Sequence, residues 1–372
     1  MVGTSFATDL MFGGDARVRG IYKDNATDAD GDVDDTTQVW DQRVRLRLDA
    51  KIDDVTVNTR LRVSEGEWGL GGPAVGTDTD GDNGADVTVD YSYIVVPIQG
   101  TTLTIGRQLA SWGNKLYIWD EERERAKLTY KMDNTMVGAF IEKTDENNQA
   151  DAEGDLDGYS LLATTSFDGG TAGIIGVYQM DNNSDDDAAA DGFIVDVVGT
   201  YKVSNVSLAG ELVVKTGDRY ETNDDDGADI GAFIAASMPL EPVTLSLALA
   251  YAGDDFDADN DFTPTLLFGL VQANAIMNWS AGADDSAYAV VLGVDYMASD
   301  ALGLGAKLAY ASWSDQGVEA DGSSIVEIDA FANYQITAST SWMLGLAYGI
   351  PSDMSASDDN IISLAHKLEV KF

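Results

Sequence analysis

Residues 38–52 read QVWDQRVRLRLDAKI, a segment in which apolar and charged side chains alternate. Trp40, Val44, Leu46, Leu48, Ala50 and Ile52 share one set of alternate positions; Asp41, Arg43, Arg45, Arg47, Asp49 and Lys51 share the other. A period of two is that of an extended strand, whose successive side chains point to opposite faces. Two architectures accept such a strand. In a soluble sheet the apolar face is core and the arginines meet bulk water. In a transmembrane barrel the apolar face meets hydrocarbon and the arginines meet a water-filled interior.

The rest of the chain decides between them, because the alternation recurs from end to end. VTVNTRLRV sets Val55, Val57, Leu61 and Val63 against Asn58, Arg60 and Arg62; GFIVDVVGTYKV sets Phe193, Val195, Val197 and Tyr201 against Asp196 and Lys202. VTLSLALAY repeats the pattern with Thr, Ser and Ala on its inner side. Between these runs the connectors alternate strictly. Short ones fall at Asp53-Asp54, PIQGT, Asp133-Asn134, 168–170, Ser204-Asn205, Glu241-Pro242, Ser299-Asp300 and 338–340. Long ones occupy 24–37, 65–86, 107–124, 144–157, 181–191, 217–227, 253–285, 314–323 and 351–360. The expected fold is therefore all-β, a single-domain transmembrane antiparallel up-and-down β-barrel over 1–372. It has about 18 strands, within roughly 16 to 20 because runs such as TTLTIGRQ and TMVGAFIEK are short and weak. Short periplasmic turns then form one rim and long acidic extracellular loops the other. A soluble all-β protein gives no reason for connectors to alternate in length, nor for arginine in particular to fill the polar positions.

Composition agrees. The chain is 44% hydrophobic, too much for wholesale disorder, and has no cysteine for a disulfide or thiolate metal site. No apolar run approaches the roughly 18 residues of a membrane helix. MVGTSFATDL lacks the basic region and apolar core of a secretory signal and reads as the start of a mature or recombinant chain. The net charge of −42 comes from acids concentrated in connectors such as DNATDADGDVDD and GTDTDGDNGAD. Basic residues lie mostly in early strands: of the 22, only Lys202, Lys215, Arg219, Lys307, Lys367 and Lys371 follow residue 143. With no exposed basic patch to displace phosphate counterions, a nucleic-acid partner is not expected.

Outward aromatics cluster at strand ends, among them Tyr22, Trp40, Tyr201, Tyr251, Tyr296, Tyr310, Tyr334, Trp342 and Tyr348, as an interfacial girdle requires. The chain finishes IISLAHKLEVKF, with Ile362, Leu364, Leu368, Val370 and Phe372 on one face and Lys367, Glu369 and Lys371 on the other. This resembles the C-terminal strand of Gram-negative outer-membrane proteins, which ends in phenylalanine. Together with the strand pattern, the whole chain resembles the porin family of the bacterial outer membrane. The resemblance implies a channel for passive diffusion of small hydrophilic solutes and ions, contact with outer-membrane lipid and lipopolysaccharide, and a homotrimer.

Inside such a barrel, Arg17 and Arg19, Arg43, Arg45 and Arg47, and Arg60 and Arg62 are neighbours on three successive strands and form a basic wall. An interior this wide holds water, so these guanidinium groups can stay hydrated and need not pair, but like charges opposite each other repel unless water, anions or acidic partners compensate. The third long connector, GRQLASWGNKLYIWDEERER, resembles by position the third loop of general porins, which folds into the pore opposite an arginine cluster. Its Asp120, Glu121, Glu122, Glu124, Arg123 and Arg125 are the candidate constriction residues, although the loop lacks a PEFGG-like core. The alternative, less favoured, is that the acids only pair locally with Arg123, Arg125 and Lys127. Facing rows of opposite charge set a transverse field. The expected outcome is mild anion preference at the constriction, with Asp196, Glu211, Asp229, Asp295, Glu327 and Asp329 lining the later strands.

Two further features stay open. Asp28, Asp30, Asp32 and Asp34, and again Asp78, Asp80, Asp82 and Asp86, space carboxylates around glycine as calcium loops do, but without the bidentate glutamate of an EF-hand. They read as solvated acidic loops or as weak Ca2+ sites; no other cofactor is expected. FTPTLLFGLVQANAIMNW, residues 262–279, is apolar enough to need cover, over the pore mouth, at a subunit contact or as an extra hairpin. Catalysis is not expected, since the only histidine, His366, falls on the outward face and no nucleophile elbow is present. The alternatives are a non-conducting structural or adhesion barrel and a substrate-specific channel.

Overall fold

The computed structural model describes residues 8–25, 36–68, 87–145, 156–181, 191–217, 228–253, 256–259, 261–265, 286–314, 323–352 and 359–372. The strands are β1 (Thr8–Asp24), β2 (Thr37–Ile52), β3 (Val55–Glu67), β4 (Thr88–Ile98), β5 (Thr101–Trp112), β6 (Ile118–Met132), β7 (Thr135–Asp145), β8 (Leu156–Phe167) and β9 (Gly170–Asp181). They continue as β10 (Gly192–Val203), β11 (Val206–Thr216), β12 (Asp229–Leu240), β13 (Val243–Gly253), β14 (Ser286–Met297), β15 (Leu302–Trp313), β16 (Ser324–Thr337), β17 (Thr340–Ser352) and β18 (Ile361–Lys371). Each pairs antiparallel with its sequence neighbours, and β1 pairs with both β2 and β18, so the sheet of 18 strands closes on itself. Closure leaves no edge strand, the condition a β structure must meet in hydrocarbon. At the seam, Gly14 and Phe372 exchange backbone hydrogen bonds of 2.8 and 3.0 Å.

The alternation places side chains as expected. Leu46, Leu48, Ile94, Ile105, Leu161, Ile234, Leu247, Leu292 and Leu308 are exposed on the outside. Several polar groups there pair with one another: Gln42 donates to Ser64 at 2.9 Å, Trp68 Nε1 donates to Gln42 at 3.1 Å, and the Thr59 and Ser92 hydroxyls lie 3.2 Å apart. Trp68 also stacks on Trp40, which meets His366 edge-on at 4.7 Å, so the lone histidine belongs to an outer aromatic cluster.

The interior is not uniform. Near the short-turn rim, inward residues such as Lys202, Ser207, Asp295, Asn333 and Gln335 are exposed and line a wet vestibule. Toward the long-loop rim, inward Val177, Ile194, Val213, Ala252, Ala289, Ala311, Ile325 and Ala347 join Leu116, Phe256 and Phe262 in an apolar cluster. Those last three come from connectors, so chain from outside the wall fills part of the bore.

Candidate channel constriction

The β5–β6 hairpin leaves the wall. Pairing with β4 ends at Ser92 opposite Arg107, and pairing with β7 ends at Glu124 opposite Lys143. Beyond these points residues 108–123 pair only with each other, as far as Trp112 opposite Ile118. The departure happens at Gly106, whose φ of 120° disfavours a side chain and where a Cβ would sit 2.5 Å from the Ser92 carbonyl oxygen. The sequence places an irregular loop over 107–124; the structure instead extends both strands and leaves only 113–117 as a connection. Asp120, Glu121, Glu122, Glu124, Arg123 and Arg125 accordingly stand on β6.

The hairpin tip crosses to β11. Glu211 accepts hydrogen bonds from the backbone N–H of Asn114, of Leu116 at 3.2 Å and of Tyr117 at 3.2 Å, and Asn114 Nδ2 donates to the Gly210 carbonyl at 3.1 Å. Gly113, with φ of 65°, lets the tip lie directly on that carboxylate. A second segment, from the β13–β14 connector, braces the hairpin. Asp259 accepts from the Trp119 N–H at 2.9 Å, and its own N–H donates to the Leu116 carbonyl at 3.1 Å. Phe262 meets Phe233 edge-on at 5.4 Å, Thr265 donates to Glu327 at 2.5 Å, and Lys307 reaches the Pro264 carbonyl at 2.9 Å. The start of the apolar stretch 262–279 thus lies inside the barrel; its remainder falls outside the described residues, as do Asp28, Asp30, Asp32, Asp34, Asp78, Asp80, Asp82 and Asp86.

These inward segments correct one expectation. Of the acids expected to line the lumen, Asp196, Glu211, Asp229, Glu327 and Asp329 are buried, and only Asp295 is exposed. Glu211 and Glu327 are taken up in holding the connectors, which the strand pattern could not reveal.

The arginine wall has the acidic partners that its like charges require. Its members face inward together, but most are paired and not merely hydrated. Arg17 and Arg19 share Asp41 at 3.3 and 2.7 Å; Arg45 meets Asp15 at 3.0 Å; Arg47 meets Asp49 at 2.7 Å. Asp90, only 1% exposed, takes Arg60 at 2.7 Å and Arg62 at 2.8 Å, with Arg45 at 4.0 Å. Like charges on adjacent strands repel, and interleaved carboxylates remove that cost. Arg62 also meets Glu122 of the hairpin at 3.0 Å, so the hairpin's acids do face the wall. Glu124 pairs with Arg107, Glu121 lies 3.9 Å from Arg123, and Arg125 pairs with Glu142 at 2.5 Å. Among the described residues Arg43 stands apart: Glu65, opposite it on β3, pairs instead with Arg62 at 2.8 Å, and the buried Arg43 Nε has no acceptor. Arg47 is the most open member of the wall, its side chain 54% exposed.

Asp259 lies outside the spanning strands, and burial pushes its carboxyl up to about 6 despite hydrogen bonds from the Asp261 and Trp119 amides. A carboxyl raised in the docked state favours docking below its undocked value and loses that contribution as pH rises through about 6. Hydrogen exchange at the Trp119 amide, corrected for intrinsic rate, is expected to show more protection at pH 5 than at pH 7, and Asp259→Asn to level the two. Equal protection in the unaltered chain would contradict this.

A closed cylinder, apolar outside and charged inside, narrowed by a hairpin from its third long connection, has the fold of a membrane-spanning β-barrel. No protein-family model matches the chain, and no curated protein matches it. Solved structures do. OpdK of Pseudomonas aeruginosa, with vanillate, is 14% identical with a TM-score of 0.64, over 97% of this chain and 98% of that one. OccK2 (OpdF) of the same organism, in complex with glucuronate, is 10% identical with a TM-score of 0.64, over 98% and 96%. OccAB1 of Acinetobacter baumannii is 13% identical with a TM-score of 0.62, over 97% and 96%. At these identities the likeness is one of fold, and it extends over nearly the whole of each chain.

Proposed function

We propose that this protein is a channel of the bacterial outer membrane, passing small hydrophilic solutes and ions with a mild preference for anions. One observation carries the reading: the hairpin tip and the β13–β14 segment dock on β11, β12, β15 and β16, while the arginine wall of β1–β3 faces the bore from other strands. Arg43, without a carboxylate partner among the described residues, supplies positive charge that the ion pairs do not cancel, and Arg47, though paired with Asp49, is the most exposed of the wall. The fold shared with outer-membrane porins supports both the location and the transport reading.

An ion passing roughly 6 Å from one unit charge in water feels about 0.7 kcal/mol, about a threefold factor in occupancy. Reversal potentials in a KCl gradient are expected to show chloride mildly favoured, and Arg43→Gln is expected to reduce that preference about threefold. Strong cation preference in the unaltered protein would contradict the anion reading. A substrate-selective channel is the second reading. It is favoured by narrowing from two sides, hairpin and β13–β14 segment, and by fold neighbours whose structures hold vanillate and glucuronate.

A further inference from the structure

Two glycines of β15 leave a dent in the inner face of the sheet at the short-turn rim. Asp295, Gly305 and Phe331 stand in one row across β14, β15 and β16, and Met297, Gly303 and Asn333 stand in the next. All six positions face inward, and the middle of each row carries no side chain. A Cβ on Gly305 would meet the Phe331 ring at 2.2 Å and Asp295 Oδ1 at 2.9 Å, so ring and carboxylate converge from the two neighbouring strands. For Gly303 the nearest atom to such a Cβ is Met297 Sδ at 3.5 Å, and the floor there is open. The result is a cavity of about 280 Å³, bordered at the rim by Asp300 and Ala301 of the β14–β15 turn.

Its charge has one sign. Asp295 makes no ion pair or side-chain hydrogen bond among the described residues, whereas the carboxylates of the arginine wall are paired. Lys307, diagonally across from it on β15, reaches instead to the Pro264 carbonyl at 2.9 Å, and Lys367 on β18 pairs with Glu369 at 3.6 Å. Gln335 donates to the Thr337 and Thr340 carbonyls at 2.5 and 3.2 Å, which leaves Asn333 as the free amide of the dent. A carboxylate beside an aromatic ring in a concave site suits an organic ammonium ion: the charges pair, and the ring adds cation–π attraction and apolar cover. A hard divalent cation needs more oxygen ligands than converge here.

We propose that this dent is a binding site for a small organic ammonium ion at the periplasmic mouth of the barrel. The ammonium group meets Asp295 and the Asn333 side-chain oxygen, and the carbon body lies over Gly303 between Met297 and Phe331. The site stands apart from the inward hairpin and from the arginine wall, and selects the opposite charge. The inference rests on the channel reading only for the side of approach, because binding does not require conduction.

The test uses 4-fluorobenzylammonium as probe and uncharged 4-fluorobenzyl alcohol as its comparison, followed by 19F NMR of the folded protein in non-ionic detergent. The ammonium resonance is expected to broaden saturably, and the alcohol to bind about fivefold more weakly or less. Asp295→Asn should weaken ammonium binding about fivefold, Asp295→Glu should retain most of it, and Phe331→Leu should cost about threefold. Gly303→Leu, which fills the floor without changing charge, should abolish it. Asp168→Asn removes an exposed acid from another turn of the same rim and should change nothing. In planar bilayers the ammonium probe should interrupt current more often from the periplasmic side. Equal binding of the two probes, or unaltered binding in Asp295→Asn or Gly303→Leu with native heat-modifiable mobility, overturns the proposal. An equal loss in Asp168→Asn overturns it too, since attraction to the acidic chain as a whole would then account for the binding. Saturable broadening in a chain that passes no current would support the dent and contradict the channel.

Discussion

Exchanging Asp90 for alanine is expected to lower the stability of the barrel by about 3–5 kcal/mol, the usual cost of stranding buried charges. The carboxylate is 1% exposed and holds Arg60 and Arg62 at 2.7 and 2.8 Å, with Arg45 at 4.0 Å. Without it, Arg60 loses its one carboxylate partner among the described residues and faces Arg45 and Arg62, which keep Asp15 and the glutamates Glu65 and Glu122. Asp90→Asn keeps a hydrogen-bond acceptor but not the charge, and should fall between. The temperature at which the folded band is lost in a heat-modifiable mobility assay reads the effect. An unchanged transition in Asp90→Ala would mean that water already neutralises the arginine wall.

Removing the Glu211 carboxylate should free the tip of the hairpin. Hydrogen bonds to a charged acceptor contribute about 1.5–3 kcal/mol each and are not additive, so Glu211→Ala should shift the docked equilibrium by at least about tenfold. Single-channel records of this variant are expected to show larger and noisier conductance than those of the unaltered protein. Glu211→Gln, which can still accept hydrogen bonds, should show less of both. Identical traces would place the narrowest point away from the hairpin.

Much of this architecture is legible in the residues because one physical signal is repeated. Alternation along each strand, with turns that alternate in length, determines strand count, closure and which face meets lipid; Leu46 and Arg45 end on the sides their pattern predicts. Other features are not legible, because a register or a landing point decides them. Asp90 shares sequence parity with Ser92 and Ile94, which face outward. A bulge where the β3–β4 register jumps from Arg60–Tyr91 to Leu61–Val89 turns it inward. Another bulge brings Glu65 opposite Arg43. Glu211 lies some ninety residues beyond the hairpin that it anchors, and nothing local in GELVV distinguishes a clamp from a lumen-lining acid. The sequence offers Lys127 only as a local partner for acids, whereas its place beneath the hairpin depends on how far the hairpin leaves the wall.

The most direct test of the account is planar-bilayer conductance of the purified, folded protein. Aliphatic side chains against hydrocarbon and charged ones around water require discrete, stepwise ion currents that persist at low voltage. A chain that inserts into the bilayer with native mobility yet carries no current would contradict the account, because the polar side of its bore would then not form a continuous path.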